Sequence, residues 1–314
     1  MNILVVGHLC LDVIHSAQGR ETRSYGGIYY AVVTLARLME KGDSVIPVFG
    51  VNKNDYQPLM EHLEQFPEVD CSGIFRFDEP TNSVDLYYEE GKEGRTERST
   101  DIAKPIPYSK IRRHLSVDGV LINMISGFDI EIDTLDHIRM AVRSHGIPIH
   151  FDFHSLTLGV DEKHIRFRRP LDEWRRWAFM VDTLQMNEEE ILGLPRERLT
   201  EPQIAGHLLT LGTKAVVVTR GSRGATVFQN EKKQVVRTEI EGIAVPKVVD
   251  TTGCGDVFGA AFLQRYVKTH DAVEAAGAAN TVSASRIGSD GAASLAGQIP
   301  TPPVVAESLA RKGG

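Results

Sequence analysis

Apolar residues follow two alternating patterns along the chain, short continuous runs and longer stretches with helical spacing. Residues 2–7 (NILVVG) form a continuous apolar run of strand length, which predicts a buried first strand. Further along, Ile28, Val32, Leu35 and Met39 recur with the spacing of one helix face. The amino-terminal region is therefore predicted to contain a buried strand and then an amphipathic helix.

The same alternation continues through most of the chain. Further strands are predicted at residues 44–50, 119–125, 147–153, 179–187 and 215–221, and a short hairpin at residues 225–237. Helices are predicted at residues 56–66, 132–144, 200–211, 255–268 and 272–286. Strands rich in valine and isoleucine that alternate with helices are typical of parallel sheets. The pattern therefore predicts an α/β fold whose mainly parallel sheet is covered by helices on both faces.

Residues 73–98 depart from this pattern. The segment SVDLYYEEGKEGRTERS combines β-prone residues with a turn rich in glycine and charge. A hairpin of this composition has little core of its own, so we expect it to act as a lid or to form an edge ribbon.

Composition narrows the class of protein. Apolar residues make up 42% of the chain, and the net charge of −7 argues against an extended nucleic-acid surface. Cys10, Cys71 and Cys254 are widely spaced and odd in number, which favours a reducing compartment over a disulfide framework. No apolar run reaches the roughly 18 residues of a membrane span, and no basic signal-peptide region precedes the first apolar run. We expect a cytoplasmic globular protein that binds neither nucleic acid nor membrane.

A glycine-rich turn late in the chain carries the strongest chemical signal. In VVDTTGCGDVFGAAFLQRY (residues 248–266), helical spacing begins directly after Gly253 and Gly255. Glycine permits a positive φ or a close ligand, and the first N–H groups of a helix bind anions, above all phosphate. Asp256 lies in the predicted first turn of the helix. Such an acid can simply stabilise the helix, or it can take the proton of a hydroxyl beside the anion site.

Three other interpretations compete for this turn. A Walker A loop is excluded because the chain contains no GxxxxGK[ST] motif. A dinucleotide fingerprint needs a following strand that carries an acid, whereas the next segment here has the pattern of another helix. Cys254 at a helix start could be a thiol nucleophile or merely a small residue that fits a tight turn, and this alternative stays open.

The turn and its context resemble a known enzyme family. DTTGCGD (residues 250–256) is similar to the Asp-Thr-x-Gly-Ala-Gly-Asp signature of the ribokinase-like (PfkB) family of sugar and nucleoside kinases, with Cys254 in place of alanine. Further family landmarks occur in order across nearly the whole chain: VVGHLCLD ending in Asp12, the di-glycine Gly26 and Gly27, NEEE from Asn187 to Glu190, and VTRGSRG with Thr219, Gly221 and Gly224. The resemblance implies one three-layer αβα domain over residues 1–314, with a mainly parallel central sheet. It also implies a small β lid from residues of about 13–25 and 73–104.

This resemblance implies an ATP-dependent phosphotransferase that acts on a hydroxyl, usually a primary alcohol. Asp256 would be the base, and the N–H groups of Gly253, Cys254, Gly255 and Asp256 would hold the transferred phosphoryl group. The residues implied to contact ATP and a hydrated Mg²⁺ are Asn187, Glu190, Thr219, Gly221, Gly224 and Asn280.

The residues implied to bind the sugar or nucleoside acceptor are Asp12, Gly26, Gly27 and Asp152. The chain departs from the family pattern at Ala31, where the family often has asparagine, and at Tyr29 and Tyr30, where smaller residues are usual. These departures argue against ordinary ribose or fructose recognition. The two tyrosines could stack on an aromatic substrate group or pack in the core.

Three further points stay open. The resemblance extends to a monovalent-cation loop of several family members, which would place K⁺ at Asp250, Thr252 and the turn at residues 285–289. Two lids could pair in a homodimer, because exposed ribbon edges are usually covered. The chain could also be a sensor that binds nucleotide and sugar without useful turnover.

The segment HFDFH offers a separate cation hypothesis. The period of two places His150, Asp152 and His154 on one face of a predicted strand, as a candidate transition-metal trio. Alternation with two phenylalanines equally fits a strand end whose other face is core.

Overall fold

The computed structural model describes residues 1–15, 21–87, 96–246 and 251–287. The strands are β1 (Asn2–Val6), β2 (Leu9–His15), β3 (Glu21–Gly27), β4 (Ser44–Asn52), β5 (Ile74–Phe77), β6 (Asn82–Tyr87), β7 (Thr96–Asp101), β8 (Gly119–Asn123), β9 (Ile149–Asp152), β10 (Leu158–Val160), β11 (Arg166–Arg168), β12 (Thr183–Asn187), β13 (Ala215–Thr219), β14 (Gly224–Glu231) and β15 (Gln234–Glu241). The helices are α1 (Ile28–Leu38), α2 (Lys53–Leu63), α3 (Tyr108–Ile111), α4 (Ile132–Val142), α5 (Trp174–Phe179), α6 (Glu188–Gly193), α7 (Glu201–Thr210), α8 (Cys254–Thr269) and α9 (Ala272–Arg286).

The large sheet has the strand order β15-β14-β13-β12-β9-β8-β1-β4-β5. The strands from β13 to β5 pair in parallel, and β14 and β15 extend the sheet as an antiparallel hairpin. Every residue of β8 is buried, as are all residues of β13 except the last, because helices cover both faces of these strands. The predicted α/β class with a mainly parallel sheet is confirmed.

The helices form two layers. On one face α1, α8 and α9 pack together, and α8 also contacts β8 and β9. On the other face α3, α4, α5 and α7 form a connected layer. The chain moves from β1 towards β4 through α1, but from β8 towards β13 through α4, α5 and α7. Right-handed crossovers in opposite directions place the two sets of helices on opposite faces.

The parallel strands all end at one edge of the sheet, and polar residues lie there. Asn123, Asp152, Asn187 and Thr219 are the last residues of β8, β9, β12 and β13. Ligands bind at this edge in open α/β sheets. The arrangement therefore brings together polar side chains that are far apart in sequence.

A second sheet of four strands has the order β3-β2-β6-β7. It differs from the predicted ribbon at residues 73–98, because Ile74–Phe77 pairs in parallel with β4 and so belongs to the large sheet. Ile74 is buried there, which favours the large sheet over an exposed ribbon. β2 and β3 pair with each other from Leu9 and Gly27 onwards, so the small sheet contains the described residues of the lid segment predicted at about 13–25.

One predicted strand is also shorter than expected. Residues 174–179 form α5, and the strand begins only at Thr183. Trp174, Trp177 and Ala178 share a buried helix face, and α5 extends to Phe179, the first residue of the strand predicted at 179–187. Within the described ranges, no helix is both long and apolar enough to cross a membrane.

Candidate active site

A cavity of about 480 Å³ opens at the carboxyl edge of the large sheet. Sequence-predicted residues from the two halves of the chain line it together: Asp152, Asn187, Glu190, Thr219, Gly221, Gly224, Gly253, Cys254, Gly255, Asp256 and Asn280. The fold thus assembles the residues predicted for catalysis and for nucleotide binding into one site.

Asp256 lies in the first turn of α8 with only 4% of its surface exposed. Asn123, at the end of β8, donates from Nδ2 to Asp256 Oδ1 at 2.7 Å. His154 Nε2 lies 4.0 Å from the same oxygen. The carboxylate is therefore oriented by an amide and lies near an imidazole, while it still lines the cavity.

The ring of Tyr30 packs against the glycine turn at Gly253. Gly253 has φ +78°, and a Cβ at this position would overlap with the ring of Tyr30. The first α-helical bond runs from Val257 N to Gly253 O at 2.9 Å, so the N–H groups just before Val257 precede the helical ladder. The predicted set of four N–H groups needs one correction, because Cys254 N donates to Thr251 O at 3.2 Å. Of the predicted set, the N–H groups of Gly253, Gly255 and Asp256 stay candidates for the anion hole.

Gln185 links the strand ends to the turn. Its Nε2 donates to Asp152 Oδ2 at 3.1 Å and to Gly255 O at 2.9 Å. Gln185 lies in β12 beside β9 and is 2% exposed. The Gln185 amide therefore fixes the position of Asp152 relative to the start of α8.

Several titratable side chains line the cavity with Asp256, among them Asp152, Glu190 and His154. Burial, with the neighbouring carboxylates, raises the pKa of Asp152 well above its usual range, and burial also raises the pKa of Glu190. Burial by itself would lower the pKa of His154, but the charges of Asp256, Asp152 and Glu190 outweigh it and the net shift is upward. The site thus holds an excess of acidic groups around one imidazole that favours its cationic form.

Asn187 and Glu190 form a reciprocal cap at the start of α6. Glu190 N donates to Asn187 Oδ1 at 2.8 Å, and Asn187 N and Nδ2 donate to Glu190 Oε2 and Oε1 at 2.8 and 2.7 Å. Glu190 is 9% exposed and lines the cavity. The same two side chains therefore cap α6 and line the cavity.

The far end of the cavity lies between β13 and α9. Gly221 has φ +57°, and the space that a Cβ would occupy there is open to at least 4 Å, whereas a Cβ on Gly224 would overlap with Ile240 O. Asn280 Nδ2 donates to Glu241 O at 2.7 Å. This end is thus an open turn backed by a closely packed strand pair.

The predicted acceptor residues lie where the small sheet meets the large one. The carboxylate of Asp12 lies over Gly26, where a Cβ would overlap with it, and Gly27 has φ +60°. Burial raises the pKa of Cys10 well above its usual value, and the charges of Asp12 and Asp256 both contribute to that shift. Asp12 borders a hollow of about 410 Å³ together with Tyr29, and it is not among the residues that line the cavity of about 480 Å³.

The tyrosines that depart from the family pattern are core residues. Tyr29 and Tyr30 are each 1% exposed, and Tyr30 packs beneath Gly253. Ala31 is fully buried. The packing interpretation of Tyr30 is supported, and stacking of this ring on a substrate is not.

The His150, Asp152 and His154 trio is not a metal site. β9 ends at Asp152, and His154 lies beyond it in a turn with φ +37°. His150 is fully buried, bonds Thr183 Oγ1 at 2.8 Å and stacks on Phe262, and burial lowers its pKa to about 4. Among the described residues, no three metal-binding side chains form a cluster.

The predicted monovalent-cation loop is only partly described. Asp250 lies outside the described residues, as do the last positions of the turn at 285–289. Thr252 is buried, and its carbonyl oxygen accepts from Nη2 of Arg286 at 3.1 Å. A protein cation therefore contacts this loop.

Sequence reasoning did not single out Asn123, Gln185 or Arg286. Asn123 had a usable signal, because it is the polar residue that ends the apolar run GVLIN. Gln185 and Arg286 had none, since each lies within a pattern typical of an ordinary strand or helix.

Comparisons with known proteins agree with this geometry. Residues 162–298 match the model of the pfkB family carbohydrate kinases. A nucleoside kinase of Methanocaldococcus jannaschii is 44% identical over 57 residues, which span only 18% of this chain and 18% of that protein. A cytidine kinase of Thermococcus kodakarensis is 24% identical over 276 residues, which cover 85% of this chain and 88% of the relative.

The fold is shared over nearly the whole length. The structure of Arabidopsis thaliana ribokinase complexed with ribose and ATP superimposes with a TM-score of 0.72, covering 98% of each chain at 19% identity. Residues 162–298 thus match the pfkB family carbohydrate kinases, and the fold of the whole chain is that of ribokinase structures.

Proposed function

We propose that this chain is an ATP-dependent kinase that phosphorylates a hydroxyl group of a sugar or nucleoside. The observation that carries the proposal is the position of Asp256. This buried carboxylate begins α8 and lines the same cavity as the ends of β12 and β13. An acid beside a helix start can take a proton where a phosphoryl group is held.

In the proposed reaction, one proton moves to Asp256 while one bond to the γ-phosphorus forms and another breaks. The acceptor hydroxyl gives its proton to Asp256 while its oxygen forms a bond to the γ-phosphorus of ATP. The bond between that phosphorus and the β–γ bridging oxygen breaks, and ADP leaves. Asn123 holds one Asp256 oxygen in place, which fixes the direction in which the carboxylate meets the acceptor.

The chain's own groups stabilise the charge that develops. The N–H groups of Gly253 and Gly255 lie at the positive end of α8. His154, whose cationic form is favoured, lies on the side of Asp256 that faces the cavity. These groups supply positive potential in a cavity that is also lined by the carboxylates of Glu97, Asp152, Glu190 and Asp256.

The donor set also fits a hydrated Mg²⁺. Glu190 and Asp152 offer carboxylate oxygens in the cavity, and Mg²⁺ prefers oxygen ligands and retains waters. Asn187 and Glu190 would hold the hydrated ion, and the ion, when bound, supplies charge neutralisation for the phosphates.

The acceptor class follows from the second half of the site. Asp12 can accept hydrogen bonds from sugar hydroxyls, and Gly26 leaves room for its carboxylate. Relatives named nucleoside kinase and cytidine kinase, and a neighbour complexed with ribose, support a ribose-containing or free-sugar acceptor.

The test is an ADP-release screen of sugars and nucleosides with Mg²⁺ and ATP. We expect at least one acceptor to give turnover that Asp256→Asn abolishes and Cys254→Ala retains. Silence across a broad panel, with ATP binding shown by calorimetry, would favour the sensor. Loss of turnover in Cys254→Ala with retention in Asp256→Asn would favour the thiol enzyme.

Pairing of two small sheets in a homodimer stays a prediction. Leu11 and Val13 alternate with Asp12, so they lie on the sheet face turned away from it, beside Tyr25. They border the hollow of about 410 Å³ that Asp12 also lines. Light scattering after gel filtration should give a dimer that Val13→Glu weakens. A monomer at all concentrations would contradict the prediction.

A further inference from the structure

We propose that the guanidinium of Arg286 replaces a monovalent cation beneath the phosphate-binding turn, so that this chain needs no K⁺. The inference rests on the proposed function, since it concerns the turn that would hold the transferred phosphoryl group. It assigns Arg286 as a positioning residue that acts on Gly253 through neighbouring groups.

The burial of Arg286 is the first observation. The side chain lies at the end of α9 with none of its surface exposed. A buried guanidinium is costly unless acceptors or an aromatic face compensate for lost hydration. Nη2 donates to Thr252 O at 3.1 Å, and Cζ lies 5.5 Å from the centre of the Tyr30 ring.

The second observation is that these contacts join the two segments of the predicted cation loop. The resemblance to the ribokinase-like family implies that a cation would join residues 250–252 to the turn at residues 285–289. Arg286 belongs to the second segment and donates to a carbonyl of the first. A K⁺ ion bound at Thr252 O would lie next to a like charge, and such a pair is repulsive. The described part of this loop therefore fits the guanidinium and does not fit K⁺.

The connection to catalysis is the third observation. Tyr30 lies between Arg286 and Gly253, because its ring occupies the space where a Gly253 Cβ would be. Ser283, one turn earlier on α9, donates from Oγ to Cys254 O at 3.0 Å. Two hydrogen bonds and one ring thus support the turn from the α9 side. Arg286 itself does not line the cavity and would not contact the reacting atoms.

The first experiment uses the wild-type protein. Its thermal unfolding, with and without MgADP, is measured in KCl and in tetramethylammonium chloride at equal ionic strength. We expect the same midpoint in both salts, and turnover that differs by less than about twofold. A saturable rise in the midpoint or in turnover with K⁺ overturns the proposal.

The second experiment tests the guanidinium directly. In tetramethylammonium chloride, Arg286→Ala should lose on the order of 10²-fold in kcat, because the turn loses its support. KM for the acceptor should change far less. Millimolar guanidinium or K⁺ should restore part of the rate and raise the unfolding midpoint.

Arg139→Ala is the matched control. Arg139 is largely buried and pairs with Asp182 at 2.7 Å, at the opposite edge of the sheet. Its variant should lose stability without gaining a response to guanidinium or K⁺. Full activity of Arg286→Ala without added cation, or a loss that neither cation restores, overturns the proposal.

The two experiments also separate this inference from the proposed function. The unfolding arms need no turnover, so a chain that phosphorylates nothing still reports whether K⁺ binds. If Arg286→Ala does not fold, the wild-type comparison alone decides.

Discussion

Replacing Asp256 with asparagine removes the proposed base while keeping its shape. Asn123 Nδ2 donates to Asp256 Oδ1 at 2.7 Å, and the amide oxygen of an asparagine can accept the same bond. We therefore expect the α8 start and the nucleotide site to persist. Only the ability to take a proton is lost.

The size of the effect follows from these contacts. General-base catalysis contributes about 10²–10⁴-fold, so kcat should fall by that factor. Stability should change little, because removing one of three clustered carboxylates relieves repulsion while His154 loses an attractive partner. Asp256→Ala differs, since it leaves the buried Asn123 amide without this acceptor, at roughly 1–3 kcal/mol.

The assay combines turnover, ADP affinity by calorimetry and thermal unfolding. Asp182→Asn is the matched control, because Asp182 is 5% exposed, like Asp256, but pairs with Arg139 and Lys214 away from the cavity. That control should lose stability and keep its kcat. An NMR titration adds a third readout: the pKa of His154 should fall in Asp256→Asn, because the carboxylate that raises it most is gone.

The reasoning would be refuted by Asp256→Asn retaining turnover within a few fold of wild type. It would also be refuted if the loss of turnover came with loss of ADP binding, since the residue would then shape the site rather than carry the proton.

Three further predictions follow from the geometry. Gly253→Ala should destabilise the protein by about 1–3 kcal/mol because of its positive φ, and overlap with the Tyr30 ring should add to this loss. Gly146 has φ +68° and lies in open space, so Gly146→Ala should show the φ effect alone in thermal unfolding. Gly26→Ala should push the Asp12 carboxylate aside and raise the acceptor KM by roughly tenfold or more, while unchanged KM would contradict the role of Asp12. Neighbouring carboxylates raise the pKa of His154 above 6.5, so its cation should help nucleotide binding at low pH and be lost as the pH rises through that raised pKa. The nucleotide affinity of the wild type, measured against pH, should therefore fall across this pH range. The affinity of His154→Gln should stay level over the same range.

The wrong sequence predictions have one physical origin. Ile74–Phe77 was predicted in a lid ribbon but pairs with β4, and a strand was predicted from residue 179 onwards but begins only at Thr183, after α5. In both segments the local composition suits two structures. The choice depends on which neighbour buries the apolar side chains, and that neighbour is distant in sequence.

The cation hypotheses show the same dependence. The period of two placed His154 on a strand face with Asp152, yet the strand ends at Asp152 and His154 turns towards Asp256. The resemblance implied K⁺ at Thr252, and only the structure shows that its carbonyl accepts from Arg286. A short sequence motif reflects the local backbone geometry. It carries no information about which distant side chain packs beside it.

The sequence by itself determined the alternation of strands and helices along most of the large sheet, the glycine turn before α8 and the acid in its first turn, because these depend on periodicity and on backbone φ within a few residues. It also placed polar residues at strand ends, where parallel pairing must bring them to one edge. Only the tertiary structure decided that Asn123 orients Asp256 across 133 positions, and that Tyr30 and Arg286 support Gly253. Those contacts arise from close packing between elements, which depends on the whole fold and not on any one segment.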